Sequence, residues 1–99
     1  MLDLINELPA TQAAIDKLGA RGISVDEAGQ VIWNRYVVIR NRRGSAERLQ
    51  RDIRRLLIGC SDSRRVLTLV IEGTIEPTTS LLITGWESTS AERMILEKA

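Results

Sequence analysis

Apolar residues recur along this chain with two periods, and the change from one to the other separates a helical front from a stranded back. The opening MLDLINEL carries Leu2, Leu4, Ile5 and Leu8, a pattern that suits a short helix ended by Pro9. In TQAAIDKLGARG, Ala14, Ile15 and Leu18 share one helical face, and Gly19 or Gly22 can stop the helix. SVDEAGQVIW opens with a capping box. Ser24 accepts the Glu27 backbone N–H, while the Glu27 side chain reaches back to Ser24. Ala28, Val31 and Ile32 supply that helix's apolar face.

From Arg35 the period shortens. RYVVIR (Arg35 to Arg40) is rich in β-branched residues and reads as a strand. Asn41 to Asp52 reads as a long exposed loop in which AERLQRDI can make one or two helical turns. IRRLLIGCS and RVLTLVIE follow as two strands, with Asp62 and Ser63 turning a tight hairpin between them. VLTLVI is apolar on both faces, as expected of a central strand covered on both sides. GTIEPTTS then leads to a fourth strand, LLITGW. In STSAERMILEKA, Thr89 and Glu92 form a second capping box, and Ala91, Met94 and Ile95 an apolar stripe. The expected fold is α+β: two N-terminal helices, a four-stranded antiparallel β-meander and a C-terminal helix.

Length and composition narrow the chemistry. Ninety-nine residues make one domain, 1–99, without a second core. Cys60 is the only cysteine and there is no histidine, which excludes an intrachain disulfide and the usual zinc ligand sets. The commonest general acid/base at neutral pH is missing too. No signal peptide or membrane span is apparent, so the expected address is cytoplasmic. Glycine-rich phosphate loops are absent, and Asp26 and Glu27 are explained by helix capping.

The net charge of +1 hides an asymmetry. Ten arginines between Asn34 and Arg65 face only Glu47, Asp52 and Asp62, leaving that segment at +7 between acidic ends. Arginine offers a planar fork that fits phosphate or carboxylate. The block reads either as an anion-binding surface, for RNA or an acidic protein partner, or as a solvated face. Arg40, Arg42, Arg43 and Arg55 are its candidate contacts.

Three stretches in order resemble the BrnT-like toxins of bacterial toxin–antitoxin systems, within the RelE/ParE-like group of small ribonucleases. KLGARGISVDEAGQVI (Lys17 to Ile32) is similar to the family's opening basic-x-x-x-[HR]-G-[IV]-[ST]-x-[ED]-[ED]-[AV]. RRLLIGCSDSRRVLTLVIE (Arg54 to Glu72) resembles its hairpin, and ITGWESTSAERMILEKA (Ile83 to Ala99) its closing strand and helix. The resemblance covers about four-fifths of the chain. It implies an RNA-cleaving toxin, often acting with translation and neutralised by a small, ribbon-helix-helix antitoxin. The ribose 2′-OH would attack the adjacent phosphate with no metal or cofactor, and arginine would stabilise the developing charge. The matching basic residues are Lys17, Arg21, Arg54, Arg65 and Arg93, with Arg54, Arg65 and Arg93 as the catalytic candidates.

Two departures stand out. Ala13 occupies a position where many relatives have histidine, and Trp86 stands where the closing strand is expected to carry arginine. Tyr36, the sole tyrosine, is then the one phenol that could serve as general acid, although a pKa near 10 makes a poor base at pH 7. Two readings therefore stay open: a ribonuclease, or a non-catalytic module of the same fold that binds a partner or nucleic acid. Leu2, Leu4, Ile5 and Leu8 either cover the sheet or make a homodimer contact.

Overall fold

The computed structural model describes residues 5–40 and 54–99. Helix α1 (Gln12–Gly19) is capped by Thr11, whose hydroxyl accepts the Ala14 N–H. Helix α2 (Val25–Gln30) is capped by Ser24 and tightens into a 3-10 turn over Val31–Trp33. Strands β1 (Tyr36–Arg40), β2 (Arg54–Cys60), β3 (Val66–Gly73) and β4 (Ser80–Glu87) precede helix α3 (Ser90–Lys98). The four strands form one antiparallel sheet in the order β1-β2-β3-β4. The α+β layout expected from the hydrophobic periods is the one observed.

Strand alternation sends each central residue to one of two covered faces. Leu57, Leu67, Leu69, Ile71 and Leu82 pack against Leu18, Ile23, Ala28, Val31 and Ile32 of the N-terminal helical layer. Ile58, Thr68 and Val70 are buried on the opposite face, where α3 inserts Leu96. Five consecutive residues of β3, Leu67 to Ile71, are buried. A register shift at Val70/Ile71 pairs them with Thr84 and Leu82, so Ile83 is extra. This bulge lets both Leu82 and Gly85 face the helical layer.

Three expectations need correction. Residues 5–8 are not helical: Ile5 to Ala10 runs beside β4, with parallel bridges Glu7↔Thr79 and Ala10↔Leu82. Pro9 disfavours helical geometry at Leu8, and the segment satisfies edge donors of β4 at Ser80 and Leu82. Ile5 is buried and Leu8 packs on the core; Leu2 and Leu4 lie outside the described residues, as does the expected Asn41–Asp52 loop. The Ser24 box is only half formed. Ser24 Oγ accepts the Glu27 N–H at 3.0 Å, but the Glu27 carboxylate turns to Ser61 and Ser63, each at 2.9 Å.

Helix α3 is rotated from its expected face. Ala91, Met94 and Ile95 are exposed, and the helix docks through Glu92 and Leu96, four residues apart. Glu92 supplies the reason. It completes the box with Thr89 and also accepts from Thr68 Oγ1 (2.9 Å) and Trp86 Nε1 (3.1 Å). A carboxylate with that many fixed donors holds the helix more specifically than an apolar stripe can.

The β2–β3 hairpin turns at Ser61–Arg64, with the Arg64 N–H on the Ser61 carbonyl and Asp62 and Ser63 at the tip. Arg64 adopts φ 69°, a left-handed conformation that costs a non-glycine residue about 1–2 kcal/mol. Arg64→Gly relieves this while adding roughly 0.5–1 kcal/mol of unfolded-chain entropy. We expect a net gain of about 0.5–1 kcal/mol in urea unfolding; an unchanged or lower midpoint would mean that the turn is not strained.

Candidate nucleic-acid interface

The expected catalytic arginines are separated and each faces a carboxylate. Arg54, at the start of β2, places Nε 3.1 Å from Glu72 Oε1 of its cross-strand partner. Arg65 lies at the other end of the same hairpin, against α2. The ladder from Arg54↔Glu72 to Cys60↔Val66 covers six residue steps, about 20 Å. Arg65 Nε is 3.5 Å from Glu27 Oε2, in reach of charge attraction but without a hydrogen bond, and Nη1 donates to the Gly22 carbonyl at 3.3 Å. Arg93 stands on α3, 3.6 Å from Glu87.

Tyr36 is half-buried against the core, and its hydroxyl accepts the Ile5 N–H at 3.1 Å. That bond ties β1 to the N-terminal segment. Arg21 reaches the edge of β4, donating to Thr84 Oγ1 at 3.1 Å and the Gly85 carbonyl at 2.9 Å. Lys17 is exposed on α1. Arg42 and Arg43 lie outside the described residues.

What the fold does bring together is Arg40 and Arg55. They are direct partners across the β1–β2 ladder, with Arg54 the next residue along β2. Directly opposed side chains have Cβ atoms about 5 Å apart, so the two guanidiniums leave the sheet from one small patch of its surface. A phosphate is the right size and charge for two forks on one sheet rung. Arg40, Arg54 and Arg55 are all exposed, so an anion from solvent can reach them. This cationic end also borders the chain segment that carries Arg42, Arg43, Arg48 and Arg51.

Two roles are invisible to residue type. Arg35 belongs to the basic block, yet its Nη2 donates to the Leu96 carbonyl at 2.9 Å and the Ala99 backbone oxygen at 2.6 Å. It caps the negative end of α3. Trp86, found where an arginine was expected, is a hydrogen-bond donor to Glu92. The one signal in the sequence for that network is the Thr89–Glu92 capping pattern.

Burial works against ionised Glu92, but donors from the Thr89 backbone and from the Thr68, Trp86 and Thr89 side chains outweigh it. Its pKa lies below the ordinary 4.5. This is a structural carboxylate, ionised at neutral pH and used up in holding α3. No helix among the described residues is long and apolar enough to cross a membrane. Set against protein-family models, curated proteins and solved structures, the chain has no match.

Proposed function

We propose that this chain is a BrnT/RelE-like module that binds RNA, without cutting it, at the arginine end of its β-sheet. The observation that carries this reading is the Arg40↔Arg55 rung. Binding is favoured over cleavage by the pairing of Arg54 with Glu72, Arg65 with Glu27 and Arg93 with Glu87. A transition-state oxyanion needs several donors aimed at one point. Arginines about 20 Å apart cannot supply that. Cytoplasmic RNA, at the ribosome or free, is the ligand this reading implies.

The ribonuclease toxin with its cognate antitoxin is the second reading, supported by the helix–helix–sheet–helix order. One experiment separates them. The protein is incubated with a fluorescein-labelled single-stranded RNA of twelve nucleotides, and both anisotropy and fragment length are followed. Binding reduced about tenfold in Arg40→Gln/Arg55→Gln at low salt, with the RNA left full-length, is the expected result. Cleavage that disappears in Arg54→Ala/Arg65→Ala would establish the toxin instead. Equal binding by the Arg40/Arg55 variant would remove the proposed site.

A further inference from the structure

A cleft of about 640 Å³ lies between the N-terminal extended segment and α2. Leu8, Val25 and Ile32 give it apolar, half-buried or buried walls, while Glu7, Asp26 and Trp33 are exposed at its margin. No cation lines it among the described residues.

The three marginal groups have unspent binding capacity. Glu7 is held in place by its backbone, whose carbonyl accepts the Ser80 N–H at 3.1 Å. One carboxylate oxygen accepts from Thr79 Oγ1 at 3.2 Å, which orients the group and leaves the second oxygen to accept. Asp26 makes no hydrogen bond or ion pair among the described residues. Trp33 is 73% exposed although its chain neighbour Ile32 is buried, so a rigid backbone presents the indole to water.

Two carboxylates and an aromatic face around an apolar floor suit one kind of ligand: a long cationic side chain. A guanidinium stacks on indole and is accepted bidentately by carboxylate. Its methylene stem packs on aliphatic walls. An anion would be repelled by Glu7 and Asp26, and a neutral apolar ligand would leave both unused. We propose that this cleft binds an arginine side chain presented by a basic peptide segment of a partner protein. The site is built on Glu7, Asp26 and Trp33 and uses none of the sheet arginines.

The probe is acetyl-tetra-arginine amide, titrated in about 20 mM salt while backbone amide NMR shifts are recorded. Shifts confined to Asn6–Leu8, Val25–Gln30 and Trp33 are expected, with none from a tetraglutamate control. Glu7→Gln/Asp26→Asn preserves every hydrogen-bond acceptor of the fold and should weaken binding about tenfold. Trp33→Ala should weaken it about two- to fivefold, the usual worth of an exposed cation–π contact. Unchanged affinity in the double variant, or shifts centred elsewhere, overturns the site. A dimer seen by sedimentation without peptide, and lost in the double variant, overturns the partner peptide in favour of a second copy of this chain.

Discussion

Gly85→Ala is expected to destabilise the protein by about 2–3 kcal/mol, lowering Tm by roughly 10–20 °C. A Cβ at this position would lie 2.6 Å from Leu69 Cδ2, 2.9 Å from the Thr68 carbonyl oxygen and 3.2 Å from Leu18 Cδ2. Leu18 and Leu69 are fully buried, and the carbonyl belongs to the central strand, so none of the three can step aside cheaply. The missing side chain lets α1 sit close on β4. Gly29, inside α2, has nothing within 4 Å of its would-be Cβ. Gly29→Ala should therefore stabilise by about 0.5–1 kcal/mol through helix propensity and unfolded-state entropy. Urea unfolding of the pair decides the matter: variants that shift in the same direction would contradict the packing described.

Glu92→Ala is the second large effect, a loss of about 2–4 kcal/mol. It removes the return half of the Thr89 box and strips acceptors from Trp86 Nε1 and from the buried Thr68 hydroxyl. Caps contribute about 0.5–2 kcal/mol, and each buried group left unpaired costs about 1–3 kcal/mol. Thr68 keeps one partner, Ser88 Oγ at 2.7 Å, which moderates the total. Glu92→Gln removes the charge while keeping one acceptor oxygen for Thr68, Trp86 and the Thr89 N–H. Because the folded pKa lies below the unfolded value near 4.5, ionised Glu92 contributes fully above that value. The contribution is lost as pH falls through the lower, folded pKa. The stability gap between wild type and Glu92→Gln should be constant near neutrality and narrow below about pH 4.5. A gap that widens in acid would mean that burial outweighs the hydrogen bonds.

The strands and their order could be read from β-branched runs and turn residues, because sheet formation here follows local preference. The helix faces were less legible. Met94 and Ile95 have the right period for a buried stripe, yet α3 is oriented by a polar network whose members, Thr68, Trp86 and Glu92, come from three elements. No periodicity reports such a convergence. The same limit applies to the arginines. A guanidinium looks alike in sequence whether it caps α3, as Arg35 does, bridges to Glu72, as Arg54 does, or opposes another arginine, as Arg40 does. Register decides among these, and register is a property of the folded sheet. Residues 5–8 illustrate a further case. Their apolar content marks burial correctly at Ile5, but Pro9 and the open edge of β4 favour an extended path over a helix.

The salt dependence of RNA affinity tests the opposed-arginine rung most directly. If the Arg40–Arg55 rung neutralises one phosphate between its two forks, replacing both with glutamine should flatten the slope of log affinity against log salt by about 0.7 for a single strand. Between 50 and 200 mM salt, the advantage of the wild type over the variant should then shrink by about 2.5-fold. Parallel lines for the two proteins would show that RNA never met those side chains, and the proposed interface would be wrong.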